Sequence, residues 1–178
     1  EEALSNLKEA MANLELSKPD TEVKNLAPDA KTDGLCNYDG LDGRIDDLGG
    51  LASLNNEKEP ANSADTSNGV WHNWLGDNGA DAWVQYDWES EVTIYQSDAY
   101  YFTDGNFVPK SVSYQYKDAN GNWRDLPNVS GCGTELNKYN TTTFAPVTTT
   151  AIRMNMSPKT QGCGVIEWKV YGYAENVI

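Results

Sequence analysis

Two hydrophobic periods divide the chain. Through EEALSNLKEAMANLELS, residues 1–17, the apolar side chains Leu4, Leu7, Met11 and Leu14 recur every three or four positions, which is the spacing of one helix face. Acidic residues fill the first turn, where the helix dipole favours them, and Lys18-Pro19-Asp20 stops the helix. Residues 1–20 therefore read as a helical linker or the tail of a preceding domain, laid against the body by its apolar stripe. From residue 25 onward the period falls to two, in short stretches rich in Val, Ile, Tyr, Thr and Trp separated by clusters of Gly, Asn, Asp and Pro. This alternation predicts strands near 25–32, 83–88, 92–102, 110–117, 122–126, 140–146, 150–157 and 165–173, with no helix among them.

Asp118-Ala119-Asn120-Gly121-Asn122 has the composition of a hairpin turn, and Glu89-Ser90 and Val147 to Thr149 read as tight turns. The all-β region, 21–178, is then an eight-stranded antiparallel sandwich. If successive strands alternate in direction, the short turns share one pole. The loops at 103–109, 127–139 and 158–164 share the other, together with the segments 33–50 and 70–82. Short loops at one end and long ones at the other describe a scaffold that carries a binding surface.

Composition narrows the partners. Thirteen basic against twenty-seven acidic side chains give a net charge of −14, which opposes nucleic acid and anionic membrane surfaces. No apolar run is long enough to span a bilayer. The chain starts at Glu1 without a signal segment, and the expectation is a module excised from a larger secreted or cell-surface protein. Six Trp, ten Tyr and three Phe exceed what the low apolar fraction needs for packing alone, so part of this aromatic surface is expected to serve recognition. The tripeptide Gly-Cys-Gly occurs twice, at 131–133 and 162–164, while Cys36 stands in GLCNYDG. A Cys132–Cys163 disulfide is the expectation, with three free thiols as the alternative; one His and scattered Cys are too few for a zinc site.

The order of SLNNEKEPANSADTSNGVW, WVQYDW, VTIYQSDAYYFTDGNFVPKSVSYQY, NWRDLPNVSG, YNTTTFAPVTTTAIRMNM and GVIEWKVYG resembles the discoidin-like (coagulation-factor type C) domains. The likeness covers about residues 23–174. It is strongest to the family 32 carbohydrate-binding modules appended to bacterial glycoside hydrolases. The resemblance implies a galactose-binding-domain-like jelly roll and a structural calcium. Matched position by position, the calcium shell falls on Asn56, Ser63, Asp65 and Glu167, with backbone carbonyls near Ser53 completing it. Such an all-oxygen set suits calcium. Glu167, flanked by Ile166 and Trp168, is also a carboxylate that burial would penalise unless a cation or donors meet it. The first long loop, CNYDGLDGRIDDLGG, departs from the family in length and acidity, and Asn55-Asn56-Glu57 stands where the family has Asn-Asp-Gly. The acids at 39, 42, 46 and 47 do not have EF-hand spacing and read as a solvated loop.

Sugars present an apolar C–H face that stacks on indole and hydroxyls that need polar partners. At the long-loop pole Trp71, His72 and Trp74 meet that requirement, joined by Asn37, Tyr38, Asp104 and Asn137 from neighbouring loops. Each has a plainer reading: a loop-packing Trp, or an Asp-Gly turn at 104–105. No nucleophile elbow, phosphate loop or HExxH helix is present, which favours binding over catalysis. The expected function is a non-catalytic carbohydrate-binding module. It would target a parent glycan-degrading enzyme, its partner in cis, to galactose, N-acetylgalactosamine or arabinofuranose glycans. An adhesion module and a structural spacer are the alternatives.

Overall fold

The computed structural model describes residues 3–8, 22–35, 50–73 and 81–174. Eight strands appear among them: β1 (Lys24–Asn25), β2 (Lys31–Gly34), β3 (Trp71–His72), β4 (Ala82–Tyr101), β5 (Pro109–Lys117), β6 (Trp123–Asp125), β7 (Tyr139–Pro158) and β8 (Gly164–Ala174). All the pairings between these strands are antiparallel. Residues 3–8 are helical, as their periodicity requires. Leu4 and Leu7 are nevertheless 58% and 57% exposed, so this part of the expected apolar stripe does not lie against the body.

The strands differ from the expected set in one instructive way. The stretches 83–88 and 92–102 are a single strand, and so are 140–146 and 150–157. β4 and β7 stay paired from Ala82↔Met156 to Tyr100↔Tyr139, with a register shift between Asp87 and Val92. Neither 89–90 nor 147–149 holds a Gly, Pro or Asn that would force a reversal. The two ribbons bend together, and the ladder survives the corner. Likewise the expected 25–32 strand is split into β1 and β2 by a 3-10 turn at Ala27–Asp29, where Pro28 cannot donate to a ladder.

The bend divides one hydrogen-bonded sheet into two layers. β2, the first half of β4, the second half of β7, β5 and β6 form layer one. β1, β3, β8, the second half of β4 and the first half of β7 form layer two. Across the interior the Tyr86 ring of layer one stacks on Trp168 of layer two, with centroids 4.2 Å apart and planes 16° from parallel. Val84, Ile94, Ile152, Met154, Val165 and Val170 bury their side chains around this pair. A β-sandwich results, as expected.

The carbonyl of Leu54 ties the layers to a loop. It accepts the Trp168 N–H at 2.7 Å and lies 2.9 Å from the Tyr86 hydroxyl, which is also 2.7 Å from the Trp168 carbonyl oxygen. Burial pushes the Tyr86 phenol well above its usual pKa, so the hydroxyl keeps its proton to donate. Substituting Tyr86→Phe preserves the ring stack and removes this donor. The expected loss is about 1–3 kcal/mol, because buried carbonyls lose a partner. It would be read as a lower urea midpoint with an unchanged slope.

Candidate functional site at the long-loop pole

The pairing register fixes which loops meet. β4 ends at Tyr101, beside Val165 at the start of β8, and β8 opens against Trp71 and His72 of β3. The loops that follow β4, β6 and β7 therefore emerge together. Backbone bonds lace them: Phe102 N–H to the Gly164 carbonyl, Thr103 N–H to Ser63, Lys159 N–H to Val108 and Gln161 N–H to Asn106. The Thr160 hydroxyl also donates to the Asn106 carbonyl. At the other pole sit the Asp118–Asn122 hairpin and Ala174, which pairs with Val92 near the corner.

His72 is 7% exposed, with its ring centroid 5.1 Å from Phe107 and 6.4 Å from Phe102. Burial lowers its pKa, and the nearby Asp104 carboxylate pulls the other way. The ring is thus neutral at pH 7, a donor on one nitrogen and an acceptor on the other. Asp104 is exposed and accepts the Asn106 N–H at 2.9 Å, closing the loop turn. Asn137, at φ +60°, is joined to Ser63 twice: its Oδ1 accepts the Ser63 N–H at 2.9 Å, and its own N–H donates to Ser63 Oγ at 2.7 Å. Ser63 in turn meets Thr103, so Asn137, Ser63, Thr103 and Asp104 form one run of loop contacts, and the Asp104 carboxylate lies near enough to act on the buried His72 ring.

Two expectations are corrected here. Trp71 is 1% exposed and packs in the main core, so it cannot offer a face to a sugar. Its indole lies against Gly34, where even a Cβ would stand 3.2 Å from Nε1. The reason is parity: the residue that pairs with Val165 points inward with it. The Cys132–Cys163 disulfide is absent as well, for both are free thiols. The segment before Cys132 bridges to β7 through Ser130↔Thr143, whereas Cys163 leads into β8, with β4 between β7 and β8. Three strand steps of about 4.8 Å separate the two chains by roughly 14 Å, beyond a disulfide's span of about 4.4–6.8 Å between Cα atoms. The paired Gly-Cys-Gly tripeptides have a different cause. A Cβ on Gly162 would stand 2.7 Å from Asn73 Oδ1, and one on Gly131 would stand 2.3 Å from the Thr141 carbonyl oxygen. These glycines permit close approach. Cys163 N–H donates to Asn73 Oδ1 at 2.7 Å, and burial together with the Asp81 charge pushes the Cys163 thiol up to about 12.

Asn37, Tyr38 and Trp74, along with Cys36, lie outside the described residues. Phe107 and Asn73, which wall the His72 corner, were not anticipated; the glycines that accommodate them were the available signal.

Glu167 lies on the outer side of layer two, fully buried beneath the 55–70 loop. Its Oε1 accepts the Glu57 N–H at 3.2 Å, while Oε2 is buried without a partner. Burial pushes this carboxyl up to about 8, against the Glu57 donor and the Lys169 charge. An orphaned carboxylate oxygen is what a hard cation would satisfy. The carboxamide of Asn56 closes the same loop, donating to the Asn68 carbonyl and accepting the Lys58 N–H. The remaining expected ligands are turned to other partners. Ser63 Oγ accepts from Asn137, the Ser53 hydroxyl donates to the Gly50 carbonyl, and Asp65 accepts from the Ala61 and Ser67 backbone and the Ser67 hydroxyl. The unpartnered Oε2 of Glu167 is the atom that fits a calcium ion; Asn56 Oδ1 already accepts the Lys58 N–H, which leaves it one lone pair.

Residues 51–169 match the model of the F5/8 type C domain. The chain belongs to that family. Among solved structures, this F5/8 type C domain is similar to a Streptococcus pneumoniae beta-galactosidase (TM-score 0.57, 18% identity, covering 67% of this chain and 83% of the other). It is similar to chitosan-binding module 1 of a Paenibacillus chitosanase/glucanase (TM-score 0.59, 18% identity, 85% and 100% covered). It is also similar to the Clostridium perfringens module CpGH89CBM32-5, solved with GalNAc-β-1,3-galactose (TM-score 0.56, 12% identity, 83% and 99% covered). At these identities the likeness is one of fold.

The lowered pKa of His72 gives a pH prediction. A histidine whose folded pKa lies below its unfolded value of about 6.5 favours folding above that pH, and its contribution is lost as pH falls through the folded value. An NMR titration of the single histidine should therefore show a midpoint below 6.5. The Phe107→Ala variant, which opens the corner to water, should move it upward.

Proposed function

We propose that this chain is a non-catalytic carbohydrate-binding module that holds a larger secreted or cell-surface glycan-degrading protein on its substrate. The gathering of the long loops at one pole, around the neutral imidazole of His72, carries this reading. Ala174 and β1 lie toward the opposite pole, so chain attached there would leave the rim open to a glycan. Membership of the F5/8 type C family and the likeness to sugar-binding modules support it. Galactose, N-acetylgalactosamine and arabinofuranose glycans are the proposed ligands. His72 and Asp104 would serve the hydroxyls from one side of the rim, with Asn137 across it. Affinity for one sugar should be modest, in the range of about 10⁻³ to 10⁻⁵ M, and raised by multivalency in the parent protein.

Calcium is proposed at Glu167 and Asn56, with backbone carbonyls near Ser53 supplying further oxygens. A bound cation would neutralise the buried carboxylate and so stabilise the loop that covers it. Glu167 fixes that loop through the Glu57 N–H, and the loop in turn carries Ser63 to the binding rim.

Two measurements test these assignments. Calorimetric titration with galactose, N-acetylgalactosamine and arabinofuranose oligosaccharides should give binding that His72→Ala weakens about tenfold or more; no binding to any of them refutes the glycan reading. At pH 8, added calcium should raise the melting temperature of the wild type above its value in chelator. Glu167→Gln should show no such rise, and an equal rise in both proteins would refute the cation site.

A further inference from the structure

The outward face of layer one carries a feature that the long-loop pole does not use. Alternation sends Val84, Tyr86, Val112, Tyr114, Met154 and Met156 into the core, and their neighbours on the same strands outward. On this outer face the Arg153 guanidinium carbon lies 4.1 Å from the centroid of the Trp83 ring and 4.3 Å from that of Trp123. One cation thus bridges two indoles on β4 and β6. Beside them, toward the long-loop end, is a trough of about 460 Å³ lined by Trp83, Ser111, Ser113, Gln115, Asn155 and Ser157. Short serine side chains create the depression, and the large side chains of the next row form its wall. The volume falls within the roughly 300–1,000 Å³ of small-molecule sites.

The wall is fixed before any ligand arrives. Asn155 Nδ2 donates to Gln115 Oε1 at 3.2 Å, and Gln115 Nε2 donates to Asp125 at 3.1 Å. Arg153 donates from Nε and Nη2 to Gln85 Oε1 at 3.0 and 2.7 Å, and Gln85 Nε2 donates to Asp87 at 2.6 Å. These residues stand in register across β4, β7, β5 and β6. Side chains already held in one rotamer lose less entropy on binding.

We propose that this trough is a second ligand site, for an uncharged oligosaccharide laid across β4, β7 and β5. The Trp83 indole offers the apolar surface on which a sugar ring stacks, and three serine hydroxyls with the Gln115 and Asn155 carboxamides offer partners to its hydroxyls. Charge selects against other occupants. Asp81 lines the trough, and Asp33 and Asp87 lie close enough to Arg153 to act on its charge, so anions are repelled. Arg153 is committed to Gln85 and the two indoles, and Lys117 pairs with Asp87 at 3.5 Å. A polyol without charge is what remains complementary. This site shares only its class of ligand with the reading of the long-loop pole.

The test is an NMR titration of the ¹⁵N-labelled full chain with arabinotetraose, galactotetraose and tetragalacturonate. The neutral tetrasaccharides should move the Trp83 indole N–H and the backbone amides of 111–115 and 153–157. Ser113→Arg, an exposed substitution that fills the trough, should weaken that response at least tenfold, and Asn155→Ala should weaken it several-fold. Absence of any shift on this face, insensitivity to both substitutions, or a preference for tetragalacturonate overturns the proposal. Shifts confined to His72, Asp104 and Asn106 also overturn it while leaving the pole reading intact; shifts confined to the sheet face support it and count against the pole.

Discussion

Tyr86 comes from the first half of β4, and Trp168 from β8, which pairs only with the second half of β4; their stacked rings meet across the interior and hold the two layers together. Burying two such rings contributes apolar area and about 0.5–1.5 kcal/mol more from the stack itself. Their polar ends are satisfied at the same point, since the Leu54 carbonyl accepts from Trp168 and meets the Tyr86 hydroxyl. Trp168 also donates its indole N–H to Ser97 at 2.8 Å, and Trp88 donates to the Leu26 carbonyl at 2.8 Å. The aromatic surplus is thus partly structural: the Trp168 and Trp88 indoles each donate to one hydroxyl or backbone carbonyl, while the buried Trp71 N–H has no acceptor among the described residues.

That node reaches the surface through one loop. Leu54 leads to Asn56 and Glu57, where the backbone meets Glu167, and then to Ser63, where it meets Asn137 and Thr103. The rim of the binding pole is therefore mechanically continuous with the core. Glu59 continues the same dependence on the outer side, where it accepts from Tyr139 at 2.8 Å and pairs with Lys169, which itself lies over the Tyr139 ring. A cation at Glu167 would act on the centre of this arrangement, between the aromatic stack and the loops of the long-loop pole.

The two proposed ligand surfaces rest on different physics. At the pole, loops supply polar groups around a buried imidazole, and their positions depend on hydrogen bonds between loops. On the sheet face, position comes from the ladder itself, and a chain of amide hydrogen bonds holds the side chains. A module with both could bind an end of a glycan at one site and the body of a chain at the other.

Period-two alternation and the turn clusters were enough to read an all-β sandwich with its long loops at one end, because both depend only on local backbone geometry. Glu167 was legible as a carboxylate that burial would penalise, but strand alternation equally allows it to face solvent, and only the loop packed over it makes it buried. What the sequence left undecided follows from contacts between distant residues. Whether Glu89-Ser90 is a turn or a bend depends on a partner strand sixty residues away that bends with it. Whether Trp71 faces a ligand or the core depends on its pairing with Val165. The Gly-Cys-Gly repeats suggested paired sulfurs, but only tertiary packing shows that the glycines are there for Asn73 and Thr141. Trp83, Arg153 and Trp123 are unremarkable apart along the chain; strand order alone brings them together.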